Sequence, residues 1–352
     1  MKRVLGLMSG TSADAVDVAV IETDGTRVGW HGPHDSYDLT SAERAAILSV
    51  AGRQTDYASA ERAATDAHCR AVERFLAEHD TGPIDLIGFH GQTVFHAPAD
   101  GITVQLGDAD RLSQQFRTPV VFDFRSADVA AGGEGAPFAP LYHQALARDL
   151  DRPLAVLNLG GVGNVTWLGD GDEDVLAFDT GPASAMIDDW MTEKAGKRFD
   201  KDGQAAAAGV VDENWLTALL DNSYFDLTPP KSLDRNHFHP SDWPEMSVED
   251  GAATLTAFTI ASVAMAIDHM PSAPRRWLVT GGGRHNPVIM AGLADGLGVP
   301  VDPVDVEGWR GDALEAEAFA FLAARSVAGL PLSVPGTTGV PEPISGGQLI
   351  SA

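Results

Sequence analysis

Three glycine-rich segments of this chain have the residue types that hold phosphate. In Ser9-Gly10-Thr11-Ser12-Ala13-Asp14, successive backbone N–H groups can point into one concavity, and the hydroxyls add donors, which is the chemistry of an anion nest. Gly160-Gly161-Val162-Gly163-Asn164 can do the same, and Gly281-Gly282-Gly283 is a third run of this kind. A single glycine turn reads as an ordinary hairpin, whereas three at strand ends point to polyphosphate held between two domains. Among the acids, Asp179 lies in Phe178-Asp179-Thr180-Gly181-Pro182, an apolar strand end followed by a break, which predicts a carboxylate at a cleft rim. The competing reading of Asp179 is an N-cap for the helix containing Met186 to Met191. Asp128 and Glu315 are further candidates, while Asp170-Gly171-Asp172-Glu173-Asp174 reads as solvated loop charge. His90 and His96 flank Gly91-Gln92-Thr93 at a spacing poor for a metal pair, so a sugar or phosphate contact and a structural role both stay open. His237 and His239 read as exposed loop residues. Cys69, the one cysteine, excludes an internal disulfide and reads as a buried, inert thiol.

The elements that must position these groups follow an α/β pattern. Arg3 to Met8 and the β-branched run Val16 to Glu22 predict two strands around the first glycine turn. Helical patterning covers Ala42 to Ala51 and Ser59 to His79, followed by strands at Leu86 to Phe89 and Pro119 to Phe124 and a helix from Ala139 to Asp149. After Asp151-Arg152-Pro153 the opening pattern returns, with strand Leu154 to Leu159, a glycine turn and strand Val165 to Leu168. This echo predicts a duplicated α/β unit, with lobes at 1–140 and 141–352. A further strand, Trp277 to Thr280, precedes the third glycine run, and Asp312 to Val327 reads as the last helix. The tail from Leu330 is rich in Pro, Gly, Ser and Thr and reads as surface loop, with the possibility of packing back on the first lobe.

Composition bounds the function. The 352 residues include Lys+Arg 24 and Asp+Glu 50, a net charge of −26, which disfavours nucleic-acid and anionic-membrane partners. The apolar start is too short for a signal peptide, and no apolar run reaches the ~18 to 20 residues of a membrane span, Thr254 to Ile267 being the nearest. A cytoplasmic protein is the expectation. Walker, complete G-x-G-x-x-G, G-x-S-x-G and H-E-x-x-H motifs are absent, which lowers the case for P-loop, dinucleotide, serine-hydrolase and zincin chemistry together.

Taken in order, the motifs resemble one family, the anhydro-N-acetylmuramic acid kinases of the actin, hexokinase and acetate-kinase-like ATPase superfamily. The resemblance runs through Gly6 to Asp14, Phe89-His90-Gly91-Gln92-Thr93, Asp123-Phe124-Arg125 with Asp128, and Gly132 to Pro137. It continues through Asn158 to Asn164, Phe178 to Pro182, Asp200-Lys201-Asp202-Gly203 and Pro229-Pro230-Lys231-Ser232. It ends in Thr280 to Asn286 and Glu315 to Ala320. The chain departs from the family pattern at Ala183-Ser184, where Gly-Asn is usual, and at Ala15, where glycine is common.

The resemblance implies two duplicated actin/hexokinase-like ATPase lobes with a central cleft. It implies an ATP-dependent kinase that opens 1,6-anhydro-N-acetylmuramic acid with water and delivers N-acetylmuramic acid 6-phosphate and ADP, in peptidoglycan recycling. It puts the general base at Asp179, ATP phosphates on Ser9, Gly10, Thr11, Ser12, Ala13, Asp14, Ala15 and Val16, and adenosine near Gly281, Gly282 and Gly283. Gly161, Gly163 and Asn164 join the nucleotide set as the second nest. Arg125 is the cation for the sugar's lactyl carboxylate or a phosphate, with His90, Gln92 and Glu315 as sugar contacts. Mg²⁺ bridging the phosphates is expected, with unknown ligands, and so is a homodimer. Inverting hydrolysis normally wants two carboxyl groups. Here the leaving oxygen is itself the phosphoryl acceptor, so one base suffices. A kinase of the same superfamily without ring opening, and a non-catalytic actin-like nucleotide-binding protein, remain as alternatives.

Overall fold

In the computed structural model, which describes residues 1–351, apolar periodicity resolves into two sheets on one plan. In the first, β1 (Lys2–Ser9), β2 (Ala15–Thr23) and β3 (Val28–Asp38) form an antiparallel meander. β4 (Leu86–Ala97) and β6 (Val120–Phe122) continue the sheet parallel to β1, and β5 (Ile102–Leu106) folds back on the distal half of β4. In the second, β7 (Leu154–Leu159), β8 (Val162–Leu168) and β9 (Val175–Pro182) repeat the meander, with β10 (Trp277–Thr280) and β11 (Val301–Pro303) parallel to β7. The core orders are β6-β4-β1-β2-β3 and β11-β10-β7-β8-β9, and β12 (Gln348–Ile350) pairs antiparallel with β6 at the edge of the first sheet. The same order and strand directions in both halves make this a duplicated α/β fold.

The chain divides into a first unit of Met1–Asp149 with the segment from Ala313 onward, and a second of Leu150–Asp312. The expected boundary at 140/141 therefore gives way to one after Asp149. The reason is packing: helix Pro140–Leu146 buries Tyr142, whose hydroxyl donates to the buried Glu317 at 2.6 Å in the first unit. Helix Leu314–Val327 lies on β1 and β4 at two glycines that pair in register, Gly6 with Gly88. A Cβ on Gly6 would stand 1.8 Å from the Ala316 carbonyl oxygen, and one on Gly88 2.2 Å from that of Phe319, so only glycine admits the helix backbone there.

The second unit is filled by side chains instead. Phe178, Trp190, Phe258 and Trp277 are fully buried in one cluster with Leu157, Leu255 and Met186. The segment Val248–His269 is apolar and long enough to cross a membrane by composition; its Leu255, Phe258 and Val263 are core residues of this unit.

Several expected elements differ in extent. β3 was not expected, and its Gly29, Gly32, Pro33 and charged residues are the composition of a sheet edge, where β3 lies. β4 runs on to Ala97, so His90 and Gln92 belong to a strand. The tail holds a short helix, Pro335–Thr338, and β12 besides loop.

Candidate active site

At the end of β1 the chain turns through Gly10 to Asp14, closed by the Ala13 N–H on the Gly10 carbonyl at 3.0 Å, with Ala13 at φ +50°. Among the described residues no acceptor takes the backbone N–H groups of Gly10, Thr11 and Ser12, and Thr11 and Ser12 are exposed. Ala15 and Val16, expected within the turn, start β2. The turn is gripped from beneath. The buried Gln92 amide donates to the Gly10 carbonyl at 2.9 Å, and its Oε1 lies 2.7 Å from the buried Ser9 hydroxyl. Gln92, expected to touch sugar, is thus spent on holding the turn. The Asp14 carboxylate is part-exposed and pairs with Arg44 Nε at 3.2 Å.

His90 is likewise committed. The geometry assigns its Nδ1–H to the Gly91 carbonyl at 2.8 Å and leaves Nε2 to accept from Arg125 Nε at 2.8 Å. Burial, and then the Arg125 charge, hold its pKa well below the ordinary histidine value, so the ring is neutral and orients Arg125. One terminal nitrogen of Arg125 donates to the Gly135 carbonyl at 2.5 Å, and the other meets no acceptor among the described residues. The guanidinium lies over the Phe138 and Phe319 rings. Burial lowers its pKa to about 10, against the opposing pull of Glu315 and Asp128, so Arg125 stays charged at neutral pH. Glu315 is exposed in the first turn of its helix. Asp128 is buried and structural: its two oxygens accept from the Gly135 N–H at 2.7 Å and the Thr338 hydroxyl at 2.6 Å. His96 bridges Thr103 and the Glu134 carbonyl. The buried Cys69 thiol is pushed up to about 11 by burial, as an inert core residue should be.

In the second unit Asp179 lies in β9 opposite Asn164 of β8, in register. Gly163 and Asn164 are strand residues, so the second glycine turn shrinks to Gly160-Gly161. The carbonyls of that turn accept from the N–H groups of Ala183, Ser184 and Ala185 and from the Ser184 hydroxyl at 2.5 Å. The start of helix Ser184–Ala195 is therefore satisfied by the turn, and its N-cap is Ala183; Asp179 does not cap it. Ala183-Ser184, the departure from the family pattern, forms that joint. The half-buried Asp179 is held elsewhere: its Oδ2 accepts the Leu233 N–H at 2.8 Å, its own N–H donates to the Lys231 carbonyl at 3.0 Å, and its carbonyl accepts the Tyr224 hydroxyl at 2.6 Å.

The third run packs against the end of β7. Gly281, at φ +77°, has no room for a Cβ beside Asn158 and Leu159, whereas Gly282 is open. The buried Arg284 donates to the Gly281 carbonyl at 3.0 Å and pairs with Asp305 and Asp312, which fixes this turn.

Residue type alone did not single out Tyr224, Lys231 or Asp188 for a role. The signal for Lys231 was its place in Pro229-Pro230-Lys231-Ser232, one of the motifs that carry the family resemblance, which gave it no role. Asp188, half-buried on helix Ser184–Ala195, is raised to about 7 by burial and then by Asp189, and nothing in the sequence marks it.

A profile of the anhydro-N-acetylmuramic acid kinase family matches residues 2–352. A protein of that name from Paramagnetospirillum magneticum is 53% identical over 349 residues, covering 98% of each chain. Another, from Rhodospirillum rubrum, is 51% identical over 348 residues, covering 97% of this chain and 92% of its own. In fold, the chain is similar to component A of (R)-2-hydroxyglutaryl-CoA dehydratase from Acidaminococcus fermentans. That match has a TM-score of 0.50 at 12% identity, covering 93% of this chain and 100% of the other. With the profile spanning all but the first residue and relatives above half identity along nearly their whole length, the chain belongs to the anhydro-N-acetylmuramic acid kinase family.

Proposed function

We propose that the protein uses ATP and water to convert 1,6-anhydro-N-acetylmuramic acid to N-acetylmuramic acid 6-phosphate and ADP, a step of peptidoglycan recycling. Family membership supports the substrate class, and the observation that carries the mechanism is the setting of Asp179. A carboxylate that caps no helix, and whose Oδ2 accepts the Leu233 N–H at 2.8 Å, is held in a fixed direction on β9. That is what a general base for water requires.

In this reading Asp179 takes the proton as the water oxygen bonds to the anomeric carbon and the C1–O6 bond breaks. The O6 electron pair bonds to the γ-phosphorus, the bond to the β,γ-bridging oxygen breaks, and ADP leaves. No second carboxylic acid is needed, because the phosphoryl group captures the alkoxide. The N–H groups of Gly10, Thr11 and Ser12 suit phosphate oxygens, and the Gly281–Gly283 turn, open at Gly282, suits the adenosine. Arg125 has one terminal nitrogen left for the lactyl carboxylate or a phosphate, with His90 fixing its plane. Magnesium is bound by few carboxylates beside phosphates, and the part-exposed Asp14 at the phosphate turn fits that need. When bound, the ion would neutralise phosphate charge.

The test is a coupled ADP assay with the anhydro sugar and, separately, the reducing sugar. Turnover of the anhydro sugar with uptake of one water oxygen at C1 is expected. Phosphorylation of the reducing sugar alone would sink the ring-opening step. Asp179→Asn is expected to lower kcat about 10³-fold with ATP affinity retained, and unchanged turnover would remove Asp179 from the base role.

A further inference from the structure

The Asp179 side chain does not hold itself in place. Its N–H and its Oδ2 are both engaged by one short stretch, Lys231 through the carbonyl and Leu233 through the N–H. That stretch is tied down in turn by the Lys231 side chain. The Lys231 residue is buried, and its Nζ lies 3.0 Å from the Tyr224 carbonyl, 3.3 Å from that of Phe225 and 3.3 Å from His269 Nε2. The ammonium also sits 4.7 Å from the centre of the Tyr224 ring. Tyr224 closes the circuit, donating its hydroxyl to the Asp179 carbonyl at 2.6 Å. From Asp179 the contacts run to the 231–233 stretch, through the lysine to 224–225, and back to Asp179.

An ammonium is an expensive group to bury, and burial lowers the Lys231 pKa, with Asp226 opposing. An apolar side chain would fill the same space without that cost, but it would leave the two carbonyls without this donor. A cation here ties three short backbone pieces to one point. We propose that Lys231 is a positioning residue for the general base: by clamping residues 231–233 onto Tyr224 and Phe225, it keeps the Leu233 N–H on Asp179 Oδ2. It thereby fixes the carboxylate's direction. Lys231 itself touches neither water nor sugar in this role. The proposal rests on the reading of Asp179 as base.

A hydrogen bond to a carboxylate favours its charged form, so loosening the clamp should raise the pKa of the base as well as misalign it. Lys231→Met keeps the length and apolar stem of the side chain and removes the charge. The expected result is a fall in kcat of about 10- to 100-fold, an unchanged KM for ATP, and an acid limb of the kcat–pH profile moved to higher pH. Lys231→Arg, which restores a cation, should recover part of kcat and move the limb back. Tyr224→Phe opens the other arm, and the double variant should lose less than the product of the two single losses, as residues of one network do. Around these groups the titratable neighbours are Tyr224, Asp226, His269 and His237, whose ring packs on Tyr224, while elsewhere in the unit Asp188 is raised to about 7. Asp188→Asn measured alongside assigns any part of the limb that belongs to it.

Circular dichroism and the thermal midpoint establish that each variant is folded; if Lys231→Met is not, Tyr224→Phe and Lys231→Arg carry the same comparison. A folded Lys231→Met with wild-type kcat and an unmoved acid limb, while Asp179→Asn is inactive, overturns the clamp and leaves the base reading standing. Full activity in Asp179→Asn overturns the base reading itself. A KM rise for ATP with kcat unchanged would also overturn the clamp.

Discussion

The two units share one strand order but differ in what they do at the strand ends and in how they cover their sheets. In the first unit the turn after β1 leaves its N–H groups open and is held at the Gly10 carbonyl by the buried Gln92. In the second, the equivalent turn after β7 directs its carbonyls at the start of helix Ser184–Ala195. One turn offers donors to an anion, while the other closes a helix and sets the strand next to it that bears Asp179. The sheets differ as well. A helix backbone rests directly on Gly6 and Gly88 in the first, whereas Trp190, Phe258 and Trp277 fill the second. The third glycine run is not the topological equivalent of the first two: it ends β10, whose counterpart β4 runs on past Gly91. Repeated topology, then, fixes where strand ends come, and a few polar residues decide what each end can bind.

The strongest way to break this comparison is acid. Buried neutral histidines are a property of the first unit, where burial holds His68 at about 4, His143 at about 3 and His90 well below its ordinary value. Unfolding lets each take a proton below about pH 6.5, so the unfolded state binds more protons and stability falls with pH. The loss is about 1.4 kcal/mol per pH unit per histidine until its folded pKa is reached. In the second unit Asp188 has the opposite sign. Its raised pKa means that the folded state holds the extra proton, so acidification from about pH 7 favours folding. Cys69 labelling under denaturant reports the first unit, and tryptophan fluorescence reports mainly the second, which holds every tryptophan but Trp30. Between pH 7 and pH 5 the Cys69 transition should move to much lower denaturant and the fluorescence transition far less. Equal shifts would mean that the two units do not respond separately.

A smaller effect is expected from the helix seat. Gly6→Ala forces the Ala316 carbonyl away and should cost about 3 kcal/mol of stability. Gly282→Ala, with nothing within 4 Å of the new Cβ, should stay within about 0.5 kcal/mol. Similar melting shifts in the two variants would contradict the contrast between a backbone-seated sheet and an open turn.

What the sequence made legible was local and periodic. Leu154–Leu159 and Trp277–Thr280 stand where the apolar runs put them, because central strands are near-continuous hydrophobic stretches. The edge strand β3 was hidden by the glycine, proline and charge that keep an edge from pairing further. The return of Leu314–Val327 to the first unit was also hidden, since a glycine in β1 does not say which distant helix needs it. At the site, the chemistry of Asp179 and Arg125 could be read from residue type, but the work of His90 and Gln92 could not. Both look like ligand donors in sequence and are occupied by Arg125, Gly91, Ser9 and Gly10 in the fold. A side chain's donors are countable from sequence, and whether the fold has already used them is not.

Gln92 gives the finest test of that distinction. If it held sugar, Gln92→Leu would raise KM for the sugar and leave ATP alone. Holding the Gly10 carbonyl instead, it should act through the turn. Leucine fills the space, the Ser9 hydroxyl keeps its place 2.9 Å from the Ala15 carbonyl, and the Gly10 carbonyl loses its donor. One neutral hydrogen bond is worth about 1 kcal/mol, so KM for ATP should rise about 5- to 10-fold with the sugar KM nearly unchanged. At the end of β10, Thr280→Val removes one hydroxyl bond to the Gly311 carbonyl at 3.1 Å. There Arg284 still braces the turn through Gly281, so KM for ATP should change less than about 3-fold. If the sugar KM moves in Gln92→Leu and the ATP value does not, the glutamine is a substrate ligand, and the turn after β1 is held by Ser9 and its own backbone alone.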